Sequence, residues 1–92
     1  MNIKSLSSHK SQEPESSTLY IVGTPIGNLG DISLRALRIL NNVSLIACED
    51  TRQTMKIMRK YEFSNTLISF NKHNYLKKIP IIIKSLQSEK SV

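Results

Sequence analysis

The chain has 92 residues, the length of one small domain, which excludes a two-domain enzyme within this polypeptide. Its hydrophobic content of 39% is too high for a fully disordered protein, and no apolar run approaches the roughly 20 residues of a membrane-spanning helix. The single cysteine, Cys48, excludes an internal disulfide framework and a cysteine-based zinc site, and favours a reducing, cytoplasm-like compartment. The net charge of +6, most of it after residue 31, is typical of a lysine-rich soluble surface or of a protein that attracts RNA.

The predicted elements alternate between strands and helices from residue 19 onward. Residues 1–18 are polar, rich in serine and without apolar periodicity, so we expect a disordered tail ahead of an ordered domain at 19–92. The apolar run at 19–22 ends at a glycine and predicts a buried strand. A glycine-rich loop follows, and Asp31 is the expected N-cap of a helix from Ile32 to about Asn41.

The same alternation continues along the rest of the sequence. Residues 43–48 and 66–70 are predicted strands, and the stretch from Asp50 to about Tyr61 between them has the capping pattern of a helix. A last helix is expected from Tyr75, with Pro80 as a point of kinking or restart. The order β-α-β-α-β-α predicts an α/β fold with parallel strands. Three such strands do not cover their own edges, so the pattern is typical of part of a larger parallel sheet.

The loop after the first predicted strand is a candidate ligand-binding loop. Its three glycines and a proline permit positive φ angles and close approach of a ligand to the backbone. The glycine spacing matches neither the dinucleotide fingerprint nor the P-loop, and an ordinary strand-to-helix turn is the alternative. The candidate substrate-binding residues in this loop are Gly23, Thr24, Pro25, Gly27 and Asn28.

Polar residues also follow the second and third predicted strands, where ligands of parallel α/β sheets bind. After the second strand, Glu49 and Asp50 are candidates to take a proton or to bind ribose hydroxyls. The alternative for Asp50 is a role as helix cap, with Arg52 as its ion-pair partner rather than a phosphate ligand. After the third strand, His73 is a candidate base and Asn74 a candidate substrate ligand, although a lone loop histidine is more often exposed and idle.

Specific sequence strings extend across the first half of the ordered chain. They are LYIVGTPIGNLGDIS at 19–33, RAL at 35–37 and IACEDTRQT at 46–54. Together they strongly resemble the start of the bacterial 16S rRNA (cytidine-2′-O)-methyltransferase I family, which belongs to the tetrapyrrole methylase superfamily. The resemblance runs from about residue 19 to about residue 88.

The resemblance implies a two-domain α/β enzyme that methylates a ribose 2′-hydroxyl in 16S rRNA during ribosome biogenesis. It implies S-adenosyl-L-methionine as cofactor, no metal, the small ribosomal subunit as partner, no membrane, a cytoplasmic location and, for the full-length enzyme, a homodimer. On this basis Glu49 or Asp50 is the expected proton acceptor, with His73 as second choice. Arg52 is expected to hold RNA phosphate.

The sequence departs from the family in three places. Asn71 stands where the family usually has histidine, and Lys72 replaces a common acidic residue. The family's next strand, with its donor-binding S-D-A-G-T-P-type loop, and its second domain have no counterpart in these residues. We therefore expect a truncated N-terminal domain that is inactive alone. The alternatives are a non-catalytic basic RNA-binding module or remnant, and a dinucleotide-binding half-domain in which Glu49 binds a ribose.

Overall fold

A computed structural model describes residues 13–25 and 27–92, and its regular elements begin at residue 29. A short 3-10 helix, Leu29–Asp31, precedes the longer elements. These are, in chain order, α1 (Leu34–Asn42), β1 (Ile46–Cys48), α2 (Thr51–Lys60), β2 (Leu67–Ser69) and α3 (Tyr75–Gln87). In the described part of the chain, no helix is long and apolar enough to cross a membrane.

The two strands form a parallel sheet, and this confirms the predicted α/β class. Ile46, Ala47 and Cys48 pair with Leu67, Ile68 and Ser69, respectively. Helix α2 provides the crossover, because parallel strands cannot be joined by a tight turn. Both strands are shorter than predicted. Residues 43–45 do not continue β1, because Val43 caps α1 and donates its N–H to the Ile39 carbonyl at 2.9 Å.

The prediction of a buried strand at residues 19–22 is wrong, because this segment lacks a full pairing partner. Its ladder-like contacts are with Val92: the Tyr20 N–H donates to the Val92 carbonyl at 2.8 Å, and the Val92 N–H donates to the Thr18 carbonyl at 3.1 Å. The side chains of Leu19 and Ile21 are 51% and 89% exposed. A parallel strand is stable only when neighbours satisfy its backbone and cover its side chains.

Helix α1 begins later than predicted. Ser33, and not Asp31, is the N-cap, and its hydroxyl accepts a hydrogen bond from the Ala36 N–H at 3.1 Å. Asp31 lies in the preceding 3-10 helix, where its own N–H donates to the Asn28 carbonyl. Serine and aspartate are comparable caps, so local preference did not separate the two positions.

The core lies between α1, α2 and the sheet. Leu37 is 1% exposed, and Leu40 and Ile57 are also buried in the same cluster. Other members are Ile32, Ile39, Val43, Ile46, Met58, Tyr61 and Phe63. Helix α3 contributes no buried residue, and it continues through Pro80 without the predicted restart.

The segment predicted as a tail is only partly described. Residues 1–12 lie outside the described residues, so their predicted disorder stays a prediction. The carboxylate of Glu13 forms an ion pair with Arg35 of α1 at 2.8 Å, and the Glu15 N–H donates to the Tyr20 hydroxyl at 2.8 Å.

Asn65 joins the end of α1 to the start of β2. Its side-chain nitrogen donates to the carbonyls of Leu40 and Val43, both at 2.8 Å, and its side-chain oxygen accepts from the Thr66 N–H at 2.7 Å. One half-buried amide therefore satisfies carbonyls at the helix end that have no partner within the helix.

We expect Asn65→Ala to reduce the free energy of unfolding by about 1–3 kcal/mol, because it removes both donors from these carbonyls. Urea unfolding followed by circular dichroism measures the change. The matched control is Asn42→Ala, which removes one exposed hydrogen bond to the Arg38 carbonyl within α1 and should cost about 0.5 kcal/mol or less. Equal losses in the two variants would contradict the linking role of Asn65.

Candidate functional site

The paired strands bring two polar segments to one edge of the sheet. Cys48 and Ser69 are partners at the carboxyl ends of β1 and β2, and the Phe70 N–H donates to the Cys48 carbonyl at 2.8 Å. Residues 49–52 and 71–74 therefore leave the sheet side by side. Ligand sites of parallel α/β sheets form at this end. We call these two segments the polar edge.

Asp50 caps α2 and is bound to Arg52. Its carboxylate accepts the Arg52 N–H at 3.0 Å and the Arg52 guanidinium at 3.2 and 3.3 Å. The side-chain hydrogen bonds from Arg52, followed by its backbone hydrogen bond, lower the pKa of the Asp50 carboxyl. A lower pKa makes Asp50 a weaker proton acceptor at neutral pH. The structure thus shows Asp50 as the cap of α2 with Arg52 as its ion-pair partner, which was the alternative to a catalytic role.

Glu49 is exposed and sits between the end of β1 and the Asp50 cap. Its carboxylate makes no hydrogen bond or ion pair with another described residue, and no structural duty accounts for it. An uncommitted carboxylate at this edge is available to a hydroxyl or an ammonium group of a ligand. Of the two candidate carboxylates, only Glu49 has no hydrogen-bond or ion-pair partner among the described residues.

The loop after β2 is closed by its own asparagines. The Asn71 N–H donates to the Asn74 side-chain oxygen at 2.9 Å, and the Asn74 side-chain nitrogen donates to the Ser69 hydroxyl at 2.9 Å. The Asn71 side-chain oxygen accepts the His73 N–H at 2.8 Å. These bonds use the polar atoms of Asn74, so its predicted substrate contact competes with a loop-closing role. The His73 side chain is exposed.

The sequence interpretation missed Asn71 and Ser69 as positioning residues. The signal was available, because an asparagine side chain commonly accepts the N–H two residues further along and so shapes a turn. Asn71 shows this with His73. The hydrogen bond from Asn74 back to the hydroxyl of Ser69 had no such local signal, since it depends on the path of the loop.

The beginning of the glycine-rich loop shares a cavity with the carboxyl ends of the two strands. Thr24 lines the same cavity as Cys48 and Phe70. Further along, Gly27 has a φ of 97°, which favours glycine, and the Leu29 carbonyl accepts the Tyr61 hydroxyl at 2.8 Å. Ile26, within this loop, lies outside the described residues.

The remaining candidate ligands in the loop have local duties or open surroundings. The Asn28 side-chain oxygen accepts the Gly30 N–H at 2.8 Å and caps the 3-10 helix. Gly23 is exposed, and Pro25 is half-buried. Binding of substrate by these residues stays a prediction.

Helix α2 carries a basic surface that begins at the polar edge. Arg52, Lys56 and Arg59 are spaced by four and three residues, so they lie along one face, and all three are exposed. Asp50 forms an ion pair with Arg52, whereas Lys56 acts on Asp50 only at longer range and neither Lys56 nor Arg59 forms an ion pair among the described residues. We call these three residues the α2 stripe. Its charge is suited to a polyanion such as RNA.

The described residues offer few of the features expected of a metal site or of a close-fitting ligand cradle. They contain no group of three His, Cys, Asp or Glu side chains placed to hold a metal ion. A Cβ built on Gly23 or Gly27 would meet nothing within 4 Å, so neither glycine lines a close-fitting cradle. The polar atoms of Asp50, Asn71 and Asn74 are already paired within the chain.

Comparison with known proteins identifies consistent relatives. A family model described as Tetrapyrrole (Corrin/Porphyrin) Methylases matches residues 18–92. Ribosomal RNA small subunit methyltransferase I of Thermotoga maritima is 51% identical over 74 residues, which are 80% of this chain and 33% of that protein. Proteins of the same name are 46% identical in Mycoplasmopsis pulmonis, over the same shares, and 46% identical in Halalkalibacterium halodurans, over 68% of this chain and 22% of that protein. The chain spans a third or less of these relatives.

We expect Asp50→Asn to lower the melting temperature less than Asp50→Ala, because asparagine keeps an acceptor for the Arg52 N–H. The pKa of Asp50 is lower in the folded protein, so its charge stabilises the fold above the ordinary aspartate pKa of about 3.9. That contribution is lost as the pH falls through the folded pKa.

Thermal unfolding of the wild type and Asp50→Asn between pH 7 and pH 2 measures this effect. The difference in melting temperature should be constant near neutral pH and should shrink progressively as the pH falls below the ordinary aspartate pKa of about 3.9. A difference that stays the same size from pH 7 to pH 2 would show that the carboxylate charge is not its source.

Proposed function

Because the chain belongs to the tetrapyrrole methylase family, we propose that it forms part of an S-adenosylmethionine-dependent methyltransferase acting on a ribose 2′-hydroxyl of ribosomal RNA. In finer detail, we propose that the methylated nucleotide is a cytidine of 16S rRNA within the small ribosomal subunit. We also propose that the reaction takes place in the cytoplasm and that the longer protein is a homodimer. The observation that carries the proposal is the polar edge. There Glu49, which belongs to the string CEDTR at 48–52, precedes the basic helix α2 and has no partner among the described residues.

Glu49 is the proposed proton acceptor. A ribose hydroxyl has to lose its proton when its oxygen is methylated, and a carboxylate within hydrogen-bond reach can take it. Glu49 is exposed at the carboxyl end of β1 and is not engaged by a described neighbour. Asp50 is occupied by α2 and by Arg52, and its lowered pKa makes it the weaker base. His73 is the second candidate on the same edge.

The α2 stripe is the proposed contact with the RNA backbone. Phosphate contacts fix the register of a protein on RNA without reading its sequence. Arg52 lies nearest the proposed base, and Lys56 and Arg59 extend the charge along the helix. The stripe also favours a second candidate function, binding of RNA without catalysis.

The experiment that tests this function joins the chain to the part of the Thermotoga maritima relative that it does not match. We expect the joined protein to transfer label from S-adenosylmethionine to a cytidine ribose of unmethylated small subunits. The 92-residue chain alone should transfer none, because it matches only 33% of the length of that relative. RNA binding by the joined protein without any label transfer would favour the second candidate.

Within the joined protein, Glu49→Gln should reduce turnover by about 10²–10⁴-fold with little change in melting temperature. Glu62→Gln is the matched control, because Glu62 is an exposed carboxylate after the other end of α2. Asp50→Asn decides between the two acids, since it keeps the cap acceptor and deletes the charge. A large loss in Asp50→Asn alone would assign the base to Asp50, and normal turnover in both would move it to His73.

We expect residues of the α2 stripe to give the chain weak, salt-sensitive RNA binding. Replacing Lys56 and Arg59 together by glutamine should weaken binding to a short single-stranded RNA and reduce the slope of log affinity against log salt by about 1–2. Fluorescence anisotropy at several salt concentrations measures both quantities. Replacing Lys84 and Lys90 by glutamine removes the same charge elsewhere and is the control. Affinity that does not change with salt would refute the proposed contact.

A further inference from the structure

Two arginines on α1 have no part in the function proposed above. Arg35 and Arg38 are three residues apart, so they are neighbours on one side of the helix. Arg35 is exposed and Arg38 is half-buried. The helix contributes other residues, Leu37 and Leu40 among them, to the buried core. We call Arg35 and Arg38 the arginine pair. An anion that reaches this side of α1 meets two positive charges.

A carboxylate of the same chain occupies the guanidinium of Arg35. The Arg35 Nε donates to both carboxylate oxygens of Glu13 at 3.2 Å, and the Arg35 Nη2 donates to the Glu13 Oε2 at 2.8 Å. Two guanidinium nitrogens thus hold one carboxylate, which is the fork geometry by which arginine also binds a phosphate group. Glu13 therefore shows, within the molecule, the kind of anion that this position accepts.

The Glu13 carboxylate balances only part of the charge of the arginine pair. Arg38 forms no ion pair among the described residues. Its charge nevertheless reaches Glu13: the hydrogen bond from Arg35 lowers the pKa of the Glu13 carboxyl, and the charges of Arg35 and Arg38 lower that pKa further. A terminal phosphate group carries about 1.5–2 negative charges at pH 7, and successive RNA phosphates carry one each. Either ligand would balance the pair more fully than one carboxylate does.

The segment that carries Glu13 to α1 is weakly held. Residues 15–17 are exposed, and the Glu15 N–H donates to the Tyr20 hydroxyl at 2.8 Å. The side chain of Arg35 is 66% exposed and that of Glu13 is 28% exposed. Solvent screens an ion pair of this kind, so the pair contributes little to holding the segment in place. An anion of higher charge can therefore displace Glu13.

Space for such an anion lies beside Arg35. A cavity of about 200 Å³ is lined by Arg35, by its neighbour Ala36, by the α1 cap Ser33 and by Tyr20, among others. Its volume is that of several water molecules, each of which occupies about 30 Å³ in the liquid. Because Arg35 lines this cavity while it is bound to Glu13, a phosphate group can approach the guanidinium before the carboxylate leaves.

We propose that the arginine pair is a phosphate-binding site and that Glu13 is its internal competitor. A phosphate group takes the place of the carboxylate on the Arg35 fork, with Arg38 beside it, and the segment that carries Glu13 leaves α1. The recognition chemistry is the same for a phosphate of an RNA backbone and for a small phosphorylated molecule. The residues differ from those of the polar edge and of the α2 stripe, and the site needs no methyl donor. The inference therefore stands whether or not the proposed methyl transfer takes place.

The test titrates the 92-residue chain separately with inorganic phosphate and with a short single-stranded RNA. Binding is followed by NMR at the Arg35 Nε–H and at the backbone amides of the first turns of α1. We expect Glu13→Gln to lower the half-saturating ligand concentration by about three- to fivefold, since it removes an exposed ion pair that competes with the ligand. The backbone amide of Glu15 should shift in the same titration, because the departing segment gives up the Tyr20 hydroxyl.

Glu15→Gln is the matched control. It removes the same charge from the same segment, and the Glu15 carboxylate forms no ion pair among the described residues. Because solvent and salt screen this unpaired charge, the control should change the half-saturating concentration by about 1.5-fold or less.

Arg35→Lys tests the fork itself. Lysine keeps the positive charge but presents one ammonium group in place of two guanidinium nitrogens. Combined with Glu13→Gln, it should cancel the gain in affinity, as read at the backbone amides of α1. Thermal unfolding checks that each variant is folded, and the result with Glu13→Gln does not depend on this second variant.

The two titrations also distinguish the source of the phosphate. Shifts at Arg35 with both ligands assign the site to phosphate groups of either source. Shifts with RNA alone assign it to the RNA backbone, and shifts with inorganic phosphate alone assign it to small phosphorylated molecules.

Two results would overturn the proposal. The first is an Arg35 Nε–H signal that moves with neither ligand, because the arginine pair would then bind no phosphate. The second is the same half-saturating concentration in the wild type, Glu13→Gln and Glu15→Gln, because Glu13 would then not compete. Failure of label transfer in the joined protein would leave both measurements unchanged, since neither uses a methyl donor.

Discussion

The parallel pairing of β1 with β2 is the constraint on which the polar edge depends. It covers only the residues from Ile46 to Cys48 and from Leu67 to Ser69, yet it fixes where two separate segments leave the sheet. A slip of the register by one residue would turn every side chain of one strand to the opposite face. Burial of Ile46 in the core fixes this register. The register in turn makes Glu49 and the asparagine-closed loop neighbours.

The start of α2 shows how structural and chemical roles divide between adjacent acids. A helix needs an acceptor for its first N–H groups, and Asp50 supplies it while also holding Arg52. Glu49, one residue earlier, lies outside the helix and keeps its carboxylate free. The ion pair between Asp50 and Arg52 is exposed, and solvent screens it, so its main effect is to orient the arginine and to weaken Asp50 as a base.

The three helices are packed unevenly, because a cavity separates α3 from the buried cluster. Helices α1 and α2 share a buried cluster with the sheet around Leu37, whereas α3 has no buried residue. An apolar cavity of about 570 Å³ lies between α3 and that cluster, so the aliphatic face of α3 meets a cavity instead of a packed layer.

The sequence by itself determined the alternation of strands and helices, the α/β class, the parallel direction and the family. These follow from apolar periodicity, from caps and from specific strings, all of which are local. Tertiary structure alone decided three further points. It left residues 19–22 with a contact to Val92 instead of a full strand partner, because a strand depends on neighbours that are distant in the chain. It moved the cap of α1 from Asp31 to Ser33, because both residues are good caps locally. It decided between the two roles that the sequence left open for Asp50, because Arg52 binds Asp50 and Glu49 has no hydrogen-bond partner among the described residues.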